Sequence, residues 1–217
     1  MDVNVFKQKP IFGIVRGVEL NQIEPLIEAV IDAGLETLEI TLNTPGAFEL
    51  IKKAKRVSAG RVSLGAGTVL SMKDLKLALK SGATFIVMPV CVKEIVKYCI
   101  KNKIPVFPGA LTPIEINQAW NCGATMVKVF PAKFFGPEYF KEIKGPFDQI
   151  ELLACGGVTA ENLKEYFSAG ANAVSFGGSV FRRDWLENND FCKIGRAVKN
   201  FINAWDCLKI NGSKNNS

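Results

Sequence analysis

Four short peptides, each pairing a small residue with a glycine, punctuate the chain: Ala33-Gly34, Ser81-Gly82-Ala83, Cys122-Gly123-Ala124 and Ala169-Gly170-Ala171. Their glycines are spaced by 48, 41 and 47 residues, and each follows a helical pattern and precedes a β-rich run. A glycine just past a helix supplies the left-handed residue that ends it. The repeat therefore marks the return from helix to strand, and each spacing has room for two βα units. On that count the marked strands are numbers 2, 4, 6 and 8.

The runs between the glycines agree. Strands are predicted at 11–15, 37–42, 62–66, 85–88, 106–107, 126–130, 151–154 and 173–176, with helical patterns at 22–32, 47–57, 73–80, 93–102, 113–121, 160–168 and 191–208. Strand and helix alternating from end to end is the pattern of a parallel α/β protein, and eight such units give a single-domain (β/α)8 TIM barrel over residues 1–208. At 217 residues the chain is slightly short for that fold, so insertions must be few. The polar, asparagine- and glycine-rich segment 209–217 reads as a disordered tail.

Alternate strands of such a barrel supply the four side chains of one interior layer. Five residues beyond each marker glycine stand Glu39, Val87, Lys128 and Ser175, which are expected at one level inside the barrel. Their sequence neighbours Leu38, Ile40, Val127 and Val129 then face the helices, because side chains alternate along a strand.

Composition narrows the chemistry. The chain has no histidine, which removes hydrolases that rely on a histidine base, most catalytic zinc sites and histidine proton shuttles. Six cysteines are scattered without a CxxC and read as reduced, mostly buried thiols. A net charge of +6 suits small anionic ligands; without a basic-aromatic stripe, no nucleic-acid partner is expected. No signal peptide or membrane span is apparent, so the expected setting is the cytoplasm.

Two residues are out of place in their strands. Lys128 lies within Met126-Val127-Lys128-Val129-Phe130, a run otherwise fit for burial. A structural lysine, snorkelling or salt-bridged, fits that position; so does a lysine whose desolvation lowers its pKa and frees an amine to attack a carbonyl. Glu39, within Leu38-Glu39-Ile40-Thr41, is either the counter-ion of Lys128 or a general acid/base with a pKa tuned upward by burial. Gly156-Gly157 and Gly177-Gly178-Ser179 follow strands 7 and 8, where barrels of this type commonly bind phosphate, although glycines there also serve plain turns. A short helix after strand 8 is expected to add its dipole.

Seven ordered segments carry a resemblance: Leu38-Glu39-Ile40-Thr41-Leu42, Gly65-Ala66-Gly67-Thr68-Val69-Leu70, Pro108-Gly109 with Thr112-Pro113-Ile114-Glu115, Lys128-Val129-Phe130-Pro131-Ala132, Gly145-Pro146-Phe147, Gly156-Gly157-Val158 and Gly177-Gly178-Ser179. Over almost its whole length the chain resembles the 2-keto-3-deoxy-6-phosphogluconate (KDPG) / 2-keto-4-hydroxyglutarate (KHG) aldolases. The resemblance implies a class I, metal-independent lyase that needs no cofactor. Such an enzyme cleaves a 2-keto-4-hydroxy acid reversibly to pyruvate and an aldehyde, glyceraldehyde 3-phosphate or glyoxylate. It further implies Lys128 as the Schiff-base lysine, Glu39 as acid/base, Thr68, Pro89 and Phe130 around the pyruvate, Gly156, Gly157, Gly178 and Ser179 around a phosphate, and a homotrimer.

The chain departs from the family pattern where Asn43 replaces an arginine that holds the pyruvate carboxylate, where Met88-Pro89-Val90 replaces Ser-Pro-Gly, and where Cys155 replaces a threonine on the aldehyde side. Arg16, just after strand 1, is expected to take over the carboxylate; the alternative is a solvated surface arginine. Two other functions fit the same barrel: a phosphate-sugar isomerase or synthase, and a catalytically silent sugar-phosphate binder.

Overall fold

Every strand runs parallel to its neighbours, and the two ends of the sheet are consecutive in sequence. The computed structural model describes residues 1–214. Its strand segments are β1 (Ile11–Val15), β2 (Thr37–Thr41), β3 (Ser63–Gly67), β4 (Phe85–Val87), β5 (Val106–Phe107), β6 (Gly109–Ala110), β7 (Val127–Val129), β8 (Leu152–Cys155) and β9 (Ala173–Phe176), in the order β5-β4-β3-β2-β1-β9-β8-β7-β6. β5 and β6 are halves of one strand split at Pro108, whose nitrogen has no N–H to give a ladder. One half pairs with β4 and the other with β7, so the sheet closes into the eightfold barrel that the glycine repeat predicts.

The helices are α1 (Val3–Gln8), α2 (Ile23–Asp32), α3 (Ala47–Ser58), α4 (Met72–Ser81), α5 (Lys93–Lys101), α6 (Pro113–Asn121), α7 (Gly136–Lys144), α8 (Leu163–Ser168), α9 (Arg183–Glu187) and α10 (Phe191–Lys214). All four marker glycines have φ between 89° and 111°, the left-handed backbone that a side chain would strain. α6 starts on a capping box in which Thr112 and Glu115 satisfy each other's backbone N–H.

Burial separates into two clusters with the barrel wall between them. Leu38, Ile40, Val127, Val129 and their equivalents pack outward against the helices. Phe6, Phe12, Phe85, Val87, Phe107, Met126, Leu153 and Ala173 fill the interior. Within that inner set Phe107 lies 5.9 Å, centroid to centroid, from each of Phe6, Phe12 and Phe85. Each buried ring contributes about 1.5–3 kcal/mol relative to exposure. Room for them is made at Gly65 on β3, where a Cβ would sit 2.3 Å from the Phe85 ring.

Three features differ from the sequence reading. α10 continues to Lys214, so 209–214 extends a helix where a disordered tail is expected; 215–217 lie outside the described residues. α1 and α7 are additional helices. α1 is only six residues, held at its start by the Asp2 side chain, and α7 buries just Phe140 and Ile143, too few apolar positions for a periodic signal. Finally, the cysteines are less buried than expected: Cys99 and Cys155 are buried, Cys91 and Cys122 intermediate, Cys192 and Cys207 exposed.

Candidate active site

Alternation along the strands brings Glu39 of β2 and Lys128 of β7 inward, as predicted, and both are buried. Val87 and Ser175 also face the interior; Val87 joins the inner apolar cluster and the Ser175 hydroxyl donates to Ala154 O at 3.2 Å. The Glu39 carboxylate rests over Gly67 of β3, where a Cβ would lie 2.5 Å from Oε1 and 2.7 Å from Cδ. A larger residue at 67 would push the carboxylate out of its place. Oε2 is buried with no hydrogen-bond partner among the described residues, an arrangement that normally marks a catalytic role or a group awaiting a ligand.

The Lys128 amine sits 5.2 Å from the centroid of the Phe130 ring, and Cys155 is the neighbour that acts most strongly on its charge. Across β8, Lys128 is in register with Leu153, which makes Cys155 the next inward residue toward the C-terminal mouth. On its other side β6 contributes Gly109, where a Cβ would come within 2.1 Å of Pro89 O. That glycine allows the backbone after β4 to pass beside the lysine.

Electrostatics couple these groups. Burial pushes the Glu39 carboxyl up to about 7, against the pull of Lys128 and Arg16, as the sequence reading expects. Lys128 differs from expectation. Burial pushes its ammonium down and is the largest single influence, but Cys155 and then Glu39 outweigh it, with Arg16 opposing, so the net displacement is upward. Desolvation alone, the basis of the expected depression, leaves out these neighbours. Glu39 and Lys128 sense each other's charge without a direct ion pair among the described residues.

Arg16 directly follows β1 and its charge reaches both Glu39 and Lys128. Its loop is held by two threonines that the sequence reading did not single out. Gly17 N donates to Thr44 Oγ1 at 3.1 Å, Thr44 Oγ1 lies 3.1 Å from Thr41 Oγ1, and Thr41 Oγ1 donates to Val15 O at 3.3 Å. Alternation could have found Thr41, since it is the next inward position after Glu39.

A cavity of about 1090 Å³ opens above, lined in part by Arg16, Phe130, Lys133, Cys155, Gly157 and Ser179. Gly156 and Gly178 also line it, which brings all four proposed phosphate residues to one wall. The Ser179 hydroxyl is itself engaged, donating to Val158 O at 3.2 Å. The short helix after the last strand is α9, which begins at Arg183, beyond this loop, and has five residues; its dipole adds little there. Gln22, another residue unmarked in the sequence, ties this segment down through Leu186 O at 2.7 Å and Asn189 Oδ1 at 2.9 Å. Pro89 lines a separate cavity of about 300 Å³ that meets the first at Phe130. Thr68 follows β3 with φ 60°, a conformation costly for a β-branched residue and characteristic of functional turns; it lines neither cavity. Asn43 is exposed.

A closed parallel barrel with a buried amine and a buried carboxyl, neither of which lines the cavity itself, and with Phe130 and Cys155 beside the amine lining it, defines a class: a barrel lyase built for carbonyl chemistry through a lysine. The particular family follows from comparison. The family model described as "Aldolase: KDPG and KHG aldolase" matches residues 3–197, and the chain belongs to that family. It is 34% identical over 175 residues to a 2-dehydro-3-deoxy-6-phosphogalactonate aldolase of Escherichia coli (strain K12), a match covering 80% of this chain and 85% of that one. It is 33% identical over 184 residues to a 2-dehydro-3-deoxy-phosphogluconate aldolase of Haemophilus influenzae (strain Rd), covering 84% and 86%. Among solved structures, a KDPG aldolase from Legionella pneumophila, with pyruvate captured as a covalent carbinolamine, superposes with a TM-score of 0.81 at 26% identity, covering 88% and 92%.

Proposed function

We propose that the chain cleaves a 2-keto-4-hydroxy acid reversibly to pyruvate and an aldehyde through an imine on Lys128, with Glu39 as the acid/base. The observation that carries this reading is the pair itself, buried in one barrel, charge-coupled, and not locked into an ion pair. In the free site the amine holds its proton tightly, while Glu39 titrates near neutrality. Imine formation needs the minor form in which Lys128 has given up that proton, and Glu39 is the buried, charge-coupled carboxyl that can take a proton up and return it to the departing hydroxyl. The neutral amine attacks C2 of the substrate, and the resulting carbinolamine loses water to give a protonated imine. Glu39, ionised again, takes the proton of the C4 hydroxyl. The C3–C4 electrons move into the imine, the aldehyde departs, and the enamine is protonated at C3 and hydrolysed to pyruvate.

Arg16 faces the site with a charge suited to the substrate carboxylate, with Thr68, Pro89 and Phe130 as the remaining pyruvate contacts. Gly156, Gly157, Gly178 and Ser179 form the cradle for a distal phosphate. The family names of the relatives support this substrate class. We also propose a homotrimer in the cytoplasm. Val90, Ile114, Phe134 and Phe135 expose 53–71% of their surface around the loops after β4, β6 and β7, apolar area that another copy would cover. Exposed thiols at Cys192 and Cys207 suit a reducing compartment. No described helix is long and apolar enough to cross a membrane.

The test is borohydride reduction in the presence of pyruvate, read by peptide mass spectrometry. A reduced adduct is expected at Lys128 and at no other lysine; a folded protein whose Lys128 peptide stays unmodified would overturn the reading.

A further inference from the structure

The glycine-rich wall of the large cavity offers backbone N–H groups, yet a phosphate also needs its charge balanced. Among the described residues, the N–H groups of Gly157, Gly178 and Ser179 have no acceptor within the chain, so they are free to bind an anion. Three cations line the same cavity: Arg16, Lys133 and Arg183. Arg16 lies close to Glu39 and Lys128 at the reacting end. Arg183 is held by Glu187 at 2.7 Å. Lys133 has no carboxylate partner among the described residues; its amine rests over the Phe134 ring, 4.9 Å from the centroid.

The position of Lys133 is fixed by the cradle itself. It lies in the 3-10 turn Ala132–Phe134 that leaves β7, five residues beyond Lys128. Its Cβ packs so closely over Gly157 that a Cβ on that glycine would sit 2.5 Å away. The root of the side chain is thus anchored against the anion cradle, while the flexible stem leaves the ammonium free to swing from an exposed ring, which holds a cation only weakly.

We propose that Lys133 is a specificity-determining residue that turns from the Phe134 ring to the distal phosphate of the substrate and selects phosphorylated over unphosphorylated 2-keto-4-hydroxy acids. This rests on the aldolase reading above and adds to it the group that supplies the counter-charge. A backbone cradle recognises the geometry of the anion; Lys133 recognises its charge, and its contribution is screened by salt.

The experiment compares cleavage of 2-keto-3-deoxy-6-phosphogluconate and its unphosphorylated analogue by the full-length wild type, Lys133→Met and Lys133→Arg, with inorganic phosphate as a competing probe. Methionine keeps a stem that packs over Gly157, and circular dichroism checks its fold. In Lys133→Met the ratio of kcat/KM for the phosphorylated to the unphosphorylated substrate is expected to fall about tenfold, mainly through KM, and the inhibition constant of phosphate to rise by a similar factor. Lys133→Arg restores both, and high ionic strength narrows the gap between wild type and Met. A wild type without preference for the phosphorylated substrate would overturn both the phosphate cradle and the role of Lys133. A wild-type preference that survives unchanged in Lys133→Met would overturn Lys133 alone.

Discussion

The two ends of the barrel use the same inward positions for opposite purposes. At the N-terminal end α1 lays Phe6 against Phe12 and Phe107, Phe85 packs on those two, and the interior is apolar. Two residues further along the same strands, Met126 gives way to Lys128, Thr37 to Glu39 and Leu153 to Cys155, and Cys155 lines the open cavity. One end supplies stability and the other spends some of it by burying ionisable groups. The comparison teaches that a strand can carry both duties when they are separated by one inward step.

Substitutions at the two ends should therefore fail in different ways. The largest effect is expected for Lys128→Arg, where a guanidinium stays protonated and cannot form an imine; turnover should drop to background and pyruvate trapping should vanish. Glu39→Gln comes next, with kcat reduced by about 10²- to 10⁴-fold and loss of the wild-type limb near pH 7.

The same substitution probes stability. A carboxyl whose folded pKa is about 7 against an ordinary 4.5 binds its proton more readily when folded. Its contribution is complete below pH 4.5 and is lost as pH rises through 7. Glu39→Gln should match wild type in denaturant melts at pH 4.5 and exceed it at pH 8 by up to about 3 kcal/mol. Equal stability at both pH values would mean that Glu39 is not strained by burial.

Gly67→Ala places a methyl 2.5 Å from Glu39 Oε1. A displaced carboxylate should lower kcat by about 100-fold, and wild-type kcat would show that the carboxylate has room to shift. For Arg16→Ala, the KM for pyruvate in the condensation direction should rise about tenfold with kcat largely kept; an unchanged KM would make Arg16, which is exposed at the cavity rim, a solvated surface arginine. The smallest effect on chemistry is expected at the closed end. Phe107→Ala should cost about 3–5 kcal/mol in chemical denaturation, while kcat per folded molecule stays near wild type. A matching loss of kcat would break the division between the ends.

Much of this organisation was legible in the chain. Four glycines at a double βα spacing fix which strands are even-numbered, and the period of two then sends Glu39 and Lys128 inward, because both rules follow from backbone geometry alone. The upward push on Glu39 was legible too, since burial dominates it. The net state of Lys128 was not: it depends on Cys155, 27 residues away in sequence, and on the balance of Glu39 against Arg16 across the barrel. Thr44 and Gln22 were also hidden, because what they hold is backbone from other loops, and such partners leave no periodic mark. The length of α10 was missed because a polar, glycine-containing end carries weak helix propensity.

β9 enters the ring between β8 and β1, and this has a consequence for the unfinished chain. A polypeptide stopped or clipped before residue 173 would present two raw sheet edges, on β1 and β8, each a template for another chain. The segment that seals those edges also brings Ser175 and the Gly178-Ser179 half of the anion cradle. Completing the ring and completing the site are one event, so a shortened chain should be removed as an aggregate and never persist as a weak enzyme.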